Sequence, residues 1–224
     1  MPLPRSVRAA GIAGALAAAA LALPSAASAA YTSSIDGGNP TLTGDANGDQ
    51  LVISVQGANL AHNRATDPGF NSAIDFDSTA GGDQTVANTA SVTVNAGDGD
   101  DFVQTGPNAD TLNGEGGNDR ILGGPGNDAL SGGDGNDLLR GGKGDDTVDG
   151  GAGNDVIWVG GGADTANGGD GDDRLHALAR DHKVDHIDCG PGNDTVWLNA
   201  AENDVHVNCE TVKIVTVTGT GGDD

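Results

Sequence analysis

From Ala96 to His176 the chain repeats itself every nine residues, and it does so nine times without an insertion or a deletion. The repeat has Gly at its first, second and fourth places, Asp at its sixth place and an apolar residue at its eighth. The copies that keep every one of these places begin at Gly123, Gly132, Gly141, Gly150 and Gly168. A short fixed period is typical of a solenoid, in which each repeat stacks on its neighbours.

The first six places of each repeat have the composition of an oxygen-rich turn. Glycine permits positive φ angles and a close approach of the backbone, and the Asn or Asp at most fifth places tolerates a left-handed conformation. The sixth place is Asp in all nine repeats: Asp101, Asp110, Asp119, Asp128, Asp137, Asp146, Asp155, Asp164 and Asp173. Carbonyl and carboxylate oxygens together suit a hard cation such as Ca²⁺. We therefore interpret the sixth-place Asp residues as metal ligands.

The last three places of each repeat predict a short strand whose middle residue points inward. These inward residues are Val103, Leu112, Ile121, Leu130, Leu139, Val148, Ile157, Ala166 and Leu175. One apolar residue per repeat, with an aromatic content of 3%, gives a thin core. A thin core and a high charge are the composition of a disordered chain. We therefore expect metal binding to drive folding.

These repeats resemble the RTX (hemolysin-type) calcium-binding repeats. The resemblance implies an all-β fold, a right-handed parallel β-roll (β-solenoid) with two nonapeptides per coil and its turns stacked in two columns. It also implies that Ca²⁺ lies between a turn and the turn two repeats later, held by the sixth-place Asp residues. Nine turns paired in this way give about seven ions in the main array. A hemolysin-like toxin and an accessory protein of a secreted hydrolase are alternative roles for such a roll.

The charge of the array supports a role for cations. Residues 96–176 contain 17 acidic and four basic residues, a net charge of −13. The acids recur at fixed places, and coils about 4.8 Å apart would stack them into columns that repel themselves without counter-ions. The whole-chain charge of −23 argues against nucleic acids and anionic membranes as partners. Calcium ions are thus the expected partner, with cell-surface or matrix components as candidate macromolecular partners.

Residues 1–30 have the composition of a secretory signal peptide. Two arginines precede an apolar run from Ala9 to Leu23, and small residues follow it. The run of about 15 residues is shorter than the ~20 that a membrane span needs. We expect cleavage after Ala29 or Ala30, a secreted, extracellular mature chain and no insertion into a membrane.

Residues 31–95 are less regular, and we interpret them as an amino-terminal β cap or degenerate coils. Gly44–Val52 resembles a decayed repeat with Asp49 at the sixth place. Asp75 and Asp77 lie in a loop-like stretch, where solvated acids are the favoured interpretation and an additional ion site is the alternative. The whole region is short for an independent enzyme domain.

After His176 the nine-residue register breaks. Residues 177–188 form a twelve-residue insertion, and the pattern resumes at Cys189–Trp197, which makes Asp194 a tenth candidate ligand. We therefore assign the calcium-binding β-roll to residues 96–197. Valine and isoleucine residues in the following segment predict strands that close the open end of the roll. Residues 198–224 are accordingly assigned as a carboxyl-terminal cap and a flexible tail.

The two cysteines, Cys189 and Cys209, are separated in sequence by slightly more than one coil of two repeats. Residues one coil apart would be stacked neighbours at about 4.8 Å, within the Cα–Cα span of ~4.4–6.8 Å that a disulfide bond needs. In an exported protein we expect the Cys189–Cys209 disulfide. Metal ligation by the pair is the alternative interpretation.

The sequence contains no convincing catalytic motif. His182 and His186 have the spacing of a zinc-protease motif, but Lys183 stands where that motif needs a glutamate base. A Gly-x-Ser-x-Gly elbow is also absent. We interpret the two histidines as exposed loop residues and expect no enzymatic activity. The predicted function is calcium binding by an exported β-roll that folds on Ca²⁺ binding and acts as an extracellular structural or interaction module.

Overall fold

The structure, a computed structural model, describes residues 32–36, 39–44, 48, 50–56, 59–62 and 89–218. The expected signal peptide (residues 1–30), the decayed-repeat residue Asp49, the loop acids Asp75 and Asp77, and residues 219–224 lie outside the described residues.

Every regular element in the described part of the chain is a β-strand. The strands are β1 Thr32–Asp36, β2 Asn39–Thr43, β3 Gln50–Gln56, β4 Asn59–His62, β5 Thr93–Asp98, β6 Phe102–Gln104, β7 Thr111–Gly116, β8 Arg120–Pro125, β9 Ala129–Asp134, β10 Leu138–Lys143, β11 Thr147–Ala152, β12 Val156–Gly161, β13 Thr165–Asp170, β14 Arg174–Ala177, β15 His186–Asp188, β16 Thr195–Asn199, β17 Val205–Val207 and β18 Thr211–Val215. Within these residues, no helix is long and apolar enough to cross a membrane.

The strands alternate between two nine-stranded sheets. The first sheet has the order β1-β2-β5-β7-β9-β11-β13-β15-β17, and the second has the order β18-β16-β14-β12-β10-β8-β6-β3-β4. From β5 to β18, each strand pairs in parallel with the strand two elements away, and Leu139 is in register with Ile121 on one side and Ile157 on the other. Each coil of the main array therefore consists of two repeats, and the predicted parallel β-roll is confirmed.

The core lies between the two sheets and is one apolar side chain deep on each. All nine inward residues predicted from the eighth place of the repeat are buried, with 3% or less of their surface exposed. Leu42, Leu51 and Val94 extend the same core at the amino-terminal end. Because the glycine-rich turns add no side chains, this ladder of aliphatic residues provides most of the apolar burial in the roll.

The amino-terminal segment continues both sheets of the roll. In the first sheet Leu42 on β2 is in register with Val94 on β5, and in the second Leu51 on β3 is in register with Val103 on β6. The outermost strands at this end, β1 and β4, pair antiparallel with β2 and β3. The outermost strands that the structure describes at this end are thus antiparallel to the strands of the solenoid.

The carboxyl-terminal segment lengthens the roll by one further strand in each sheet. The three extra residues of segment 177–188 are accommodated before β15, whose Ile187 is in register with Ala166. β17 and β18 then form the last strand of each sheet. Val212 and Ile214 on β18 are 38% and 60% exposed, so these strands extend the sheets without covering the end of the core.

An outward-facing stack of rings runs along the second sheet. The His176 ring lies parallel to the Trp158 ring, with centroids 4.9 Å apart, and to the Trp197 ring, with centroids 4.4 Å apart. At one end of the stack the Lys213 ammonium lies 4.3 Å from the centroid of Trp197. These residues occupy equivalent places in successive coils, so the parallel register brings them face to face.

The expected disulfide bond between Cys189 and Cys209 is present, with a Cα–Cα distance of 5.2 Å. Cys189 precedes the turn before β16, and Cys209 precedes β18, one coil later. The bond therefore links the last two coils covalently. In the chain-entropy model, closing a loop of this length stabilises the folded state by about 3 kcal/mol.

Replacing both cysteines with serine should loosen the carboxyl-terminal end of the roll first, because that end has the greatest apolar exposure. In limited proteolysis we expect the earliest cleavage of the double variant between residues 198 and 210, and slower cleavage of the unchanged chain there. Equal cleavage rates in the two chains would contradict a stabilising role for the bond. The intact mass of the exported protein, with and without reductant, checks that the bond forms.

Candidate metal centres

Glycine at the second and fourth places lets successive turns stack in close contact. Gly133 and Gly135 have φ angles of +112° and +140°, which residues with a β-carbon rarely adopt. A β-carbon on Gly135 would also overlap with the carbonyl oxygen of Gly117 in the preceding coil. The turns therefore approach each other through their backbones, and their carbonyl oxygens face the neighbouring turn.

The sixth-place Asp residues form two columns of buried carboxyl groups, one before each sheet. All ten predicted ligands have 3% or less of their surface exposed. The first column contains Asp110, Asp128, Asp146 and Asp164, and the second contains Asp101, Asp119, Asp137, Asp155, Asp173 and Asp194. The predicted ligands are thus brought together by coil stacking within each column.

One oxygen of each carboxyl group joins two coils. The backbone N–H of Asp119 donates to Oδ1 of Asp137 at 2.7 Å, and the backbone N–H of Asp137 donates to Oδ1 of Asp155 at 2.8 Å. The same bond recurs along both columns with donor–acceptor distances of 2.7–2.9 Å. Each carboxyl group is held in one orientation by this bond.

The other oxygen, Oδ2, is buried and has no hydrogen-bond partner in most of these groups. Those with an unpartnered Oδ2 include Asp119, Asp128, Asp137, Asp146, Asp155, Asp164, Asp173 and Asp194. Burying a carboxylate oxygen without a partner is strongly unfavourable. A bound cation would satisfy these atoms.

The first glycine of the repeat leaves a space beside this free oxygen. A β-carbon on Gly132 would overlap with Oδ2 of Asp137 and with the carbonyl oxygen of Gly150, so both oxygens border the same small space. Equivalent spaces lie beside Gly114, Gly123, Gly132, Gly141, Gly150 and Gly168. Carboxylate and carbonyl oxygens are the ligands that Ca²⁺ prefers, so the residues present fit a calcium ion.

Side chains alone do not form a metal site in the part of the chain that the structure describes. No group of three or more His, Cys, Asp or Glu side chains is placed to hold an ion. Main-chain oxygens, together with water, would therefore complete any coordination shell. His182 lies in an exposed bend, where 85% of its side chain is accessible. His186 begins β15.

Burial makes these carboxyl groups hard to ionise when no cation is present. Burial raises the pKa of Asp146, Asp155 and Asp164, the backbone N–H bond lowers it, and neighbouring carboxylates raise it, with a net value of about 7. The pKa values of Asp119 and Asp128 rise to about 6 for the same reasons. A carboxyl group in these columns is consequently more stable when it is protonated or bound to a metal ion than when it is an unpaired carboxylate.

Three further carboxyl groups continue the columns beyond those that the nine-residue period predicts. The backbone N–H of Asp164 donates to Asp185, and that of Asp185 donates to Asp204. In the second column, the N–H of Asp194 donates to Glu210. Two residues after each of these acids lies a residue that is in register with a buried residue of the preceding coil: Ile187 with Ala166, His206 with Ile187, and Val212 with Val196. In the regular repeats, too, the inward residue follows the sixth-place Asp by two positions. A search for this two-residue spacing alone, without the nine-residue period, could have identified the three acids.

The family model for the RTX calcium-binding nonapeptide repeat matches the chain in four overlapping copies. The matched segments are residues 95–130, 122–157, 131–166 and 149–179. Residues 95–179 are thus similar to RTX calcium-binding repeats. The predicted resemblance is confirmed for this segment, and the RTX repeats account for most of the two Asp columns. Comparison of the chain with curated proteins and with solved structures gives no match.

The metal-free RTX roll should be more stable at pH 5 than at pH 8. Its buried Asp groups have folded pKa values of about 6 to 7, against 3.8 for the free side chain, so between these values the folded state binds more protons than the unfolded state. The free energy of unfolding then falls as pH rises through this window. Far-ultraviolet circular dichroism in chelator should show more β-structure at pH 5. Equal or smaller β-content at pH 5 would contradict this account.

Proposed function

We propose that this protein is an exported calcium-binding module whose RTX roll folds when Ca²⁺ binds. The observation that carries the proposal is the series of buried Oδ2 atoms without a partner. In the six repeats that begin with glycine, this atom lies beside a carbonyl oxygen of the next turn in the column. Calcium neutralises the columns and completes these contacts. The sixth-place Asp residues and first-place carbonyl groups are the proposed ligands, with about seven ions in the main array.

We expect binding and folding to be coupled because the apolar core is too thin to stabilise the metal-free roll. The core is one aliphatic side chain deep on each sheet, and the array carries a net charge of −13. Without cations, the folded state must bury carboxyl groups at closely stacked positions, which destabilises it relative to the extended chain. The free energy of metal binding thus becomes the free energy of folding.

The proposal of export and an extracellular role is supported by the composition of residues 1–30 and by the disulfide bond. Residues 1–30 have the composition of a signal peptide, and disulfide bonds such as Cys189–Cys209 persist in oxidising compartments. A structural or interaction role, rather than catalysis, suits a surface built of stacked turns and short strands. The intact mass of the exported chain, which also reports the disulfide bond, checks the cleavage position.

Chelator should leave the mature chain largely unfolded at neutral pH, and Ca²⁺ should restore its β-structure. Extracellular calcium modules bind at roughly 10⁻⁴–10⁻³ M, so we expect the folding midpoint in that range, measured by circular dichroism during a calcium titration. Magnesium at the same concentration is the control, because it demands a stricter octahedral shell. A β-spectrum that is unchanged after complete removal of calcium would rule out coupled folding.

Asp137→Asn should raise the calcium midpoint severalfold and remove at least one ion, because it takes the charge from a buried group in the middle of the second column. Asp134→Asn is the matched control: it removes the same charge three residues earlier, at an exposed third place. That variant should keep the ion count and shift the midpoint by less than twofold. Isothermal calorimetry measures both quantities. Equal effects of the two substitutions would show that only total charge matters.

A further inference from the structure

One turn of the RTX array has a hydroxyl group at its first place, where six of the other repeats have a glycine. The first place of repeat 105–113 is Thr105, which is 4% exposed. Among the first places that the structure describes from residue 96 to residue 189, Thr105 is the only residue with a side-chain oxygen. Its side chain therefore enters the space that remains open beside the first-place glycines.

The Thr105 hydroxyl bridges the two groups that border this space. Its Oγ1 donates its only hydrogen to the carbonyl oxygen of Gly123 at 2.9 Å. The carboxyl group of Asp110 is its second hydrogen-bond partner, and in that bond the protonated carboxyl group must be the donor. Gly123 is the first residue of the turn two repeats later, and Asp110 is the sixth residue of the same repeat as Thr105. These are the positions whose oxygens border the space beside Gly132.

The carboxyl group of Asp110 consequently differs from the next one in its column. Asp110 accepts a hydrogen bond from the Val92 N–H at 2.7 Å and contacts the Thr105 hydroxyl. Asp128 accepts the equivalent bond from the Asp110 N–H at 2.8 Å, but its Oδ2 is buried without a partner. The column also ends at this point, because Val92 stands where the preceding carboxyl group would be.

We propose that the Thr105 hydroxyl replaces a calcium ion between Asp110 and Gly123, so that this end of the first column is closed without metal. The inference rests on the proposed calcium-binding function and refines it. Asp110, predicted from the repeat to be a ligand, then has a structural role: it accepts from the Val92 N–H and pairs with the Thr105 hydroxyl. In repeat 105–113 the first residue, and not the sixth-place Asp alone, determines whether the turn binds an ion.

Two pairs of variants of the full mature chain test this assignment, with bound calcium counted by native mass spectrometry and calorimetry. Thr105→Gly opens the space and should add one ion per chain, whereas Thr105→Ser keeps the hydroxyl and should leave the count unchanged. Asp110→Asn should also leave the count unchanged, whereas Asp128→Asn, one coil later in the same column, should lower it by at least one.

Gly123→Thr provides the reciprocal substitution, because it would place a hydroxyl beside Asp128 and should remove one ion. If this variant does not fold, the Asp110 and Asp128 comparison still decides the question. An unchanged count in Thr105→Gly, or a loss in Asp110→Asn equal to that in Asp128→Asn, would overturn the inference alone. An unchanged chain that binds no calcium at all would overturn both the inference and the proposed function.

Discussion

The hydrogen bond from the backbone N–H of one sixth-place Asp to the carboxyl group of the next in its column is the interaction on which this structure depends. In the bond from Asp119 to Asp137, one oxygen is fixed by the neighbouring coil, and the remaining oxygen is left buried. Repeated along both columns, the bond sets the two-repeat register of the coils and also concentrates negative charge inside the protein. The same contact therefore builds the fold and makes it dependent on cations.

A second ladder on the outer side of the turns runs in the opposite direction. At the fifth place the side chain accepts from the following coil, as when the Asn136 N–H donates to Oδ1 of Asn118. At the sixth place the side chain accepts from the preceding coil. The fifth-place groups are exposed, so Asn and Asp serve equally well as acceptors there. The buried sixth place needs an oxygen for the coil and a second one for an ion, which only a carboxyl group supplies.

The nine-residue period was sufficient to predict the two sheets, the inward residues and the buried columns, because each depends only on which places recur. Asp185, Asp204 and Glu210 escaped that reasoning because their separations from the preceding acid are 21, 19 and 16 residues. The regular array has 18 residues between these acids, so both longer and shorter coils break the period although the columns continue. The role of Thr105 depends on which side chain enters one small space, and a consensus repeat does not encode it. The expectations for residues 1–30, for Asp49, Asp75 and Asp77, and for the tail remain predictions.

The outward stack of rings has a consequence for how folding can be observed. The chain contains two tryptophans, and both lie in this stack, on either side of His176. Tryptophan fluorescence therefore reports the packing of the coils between β12 and β16, and it does not respond to the folding of the amino-terminal coils. Circular dichroism averages over every strand. If the two signals diverge during a titration, the roll orders in stages; if they coincide, it orders as one cooperative unit.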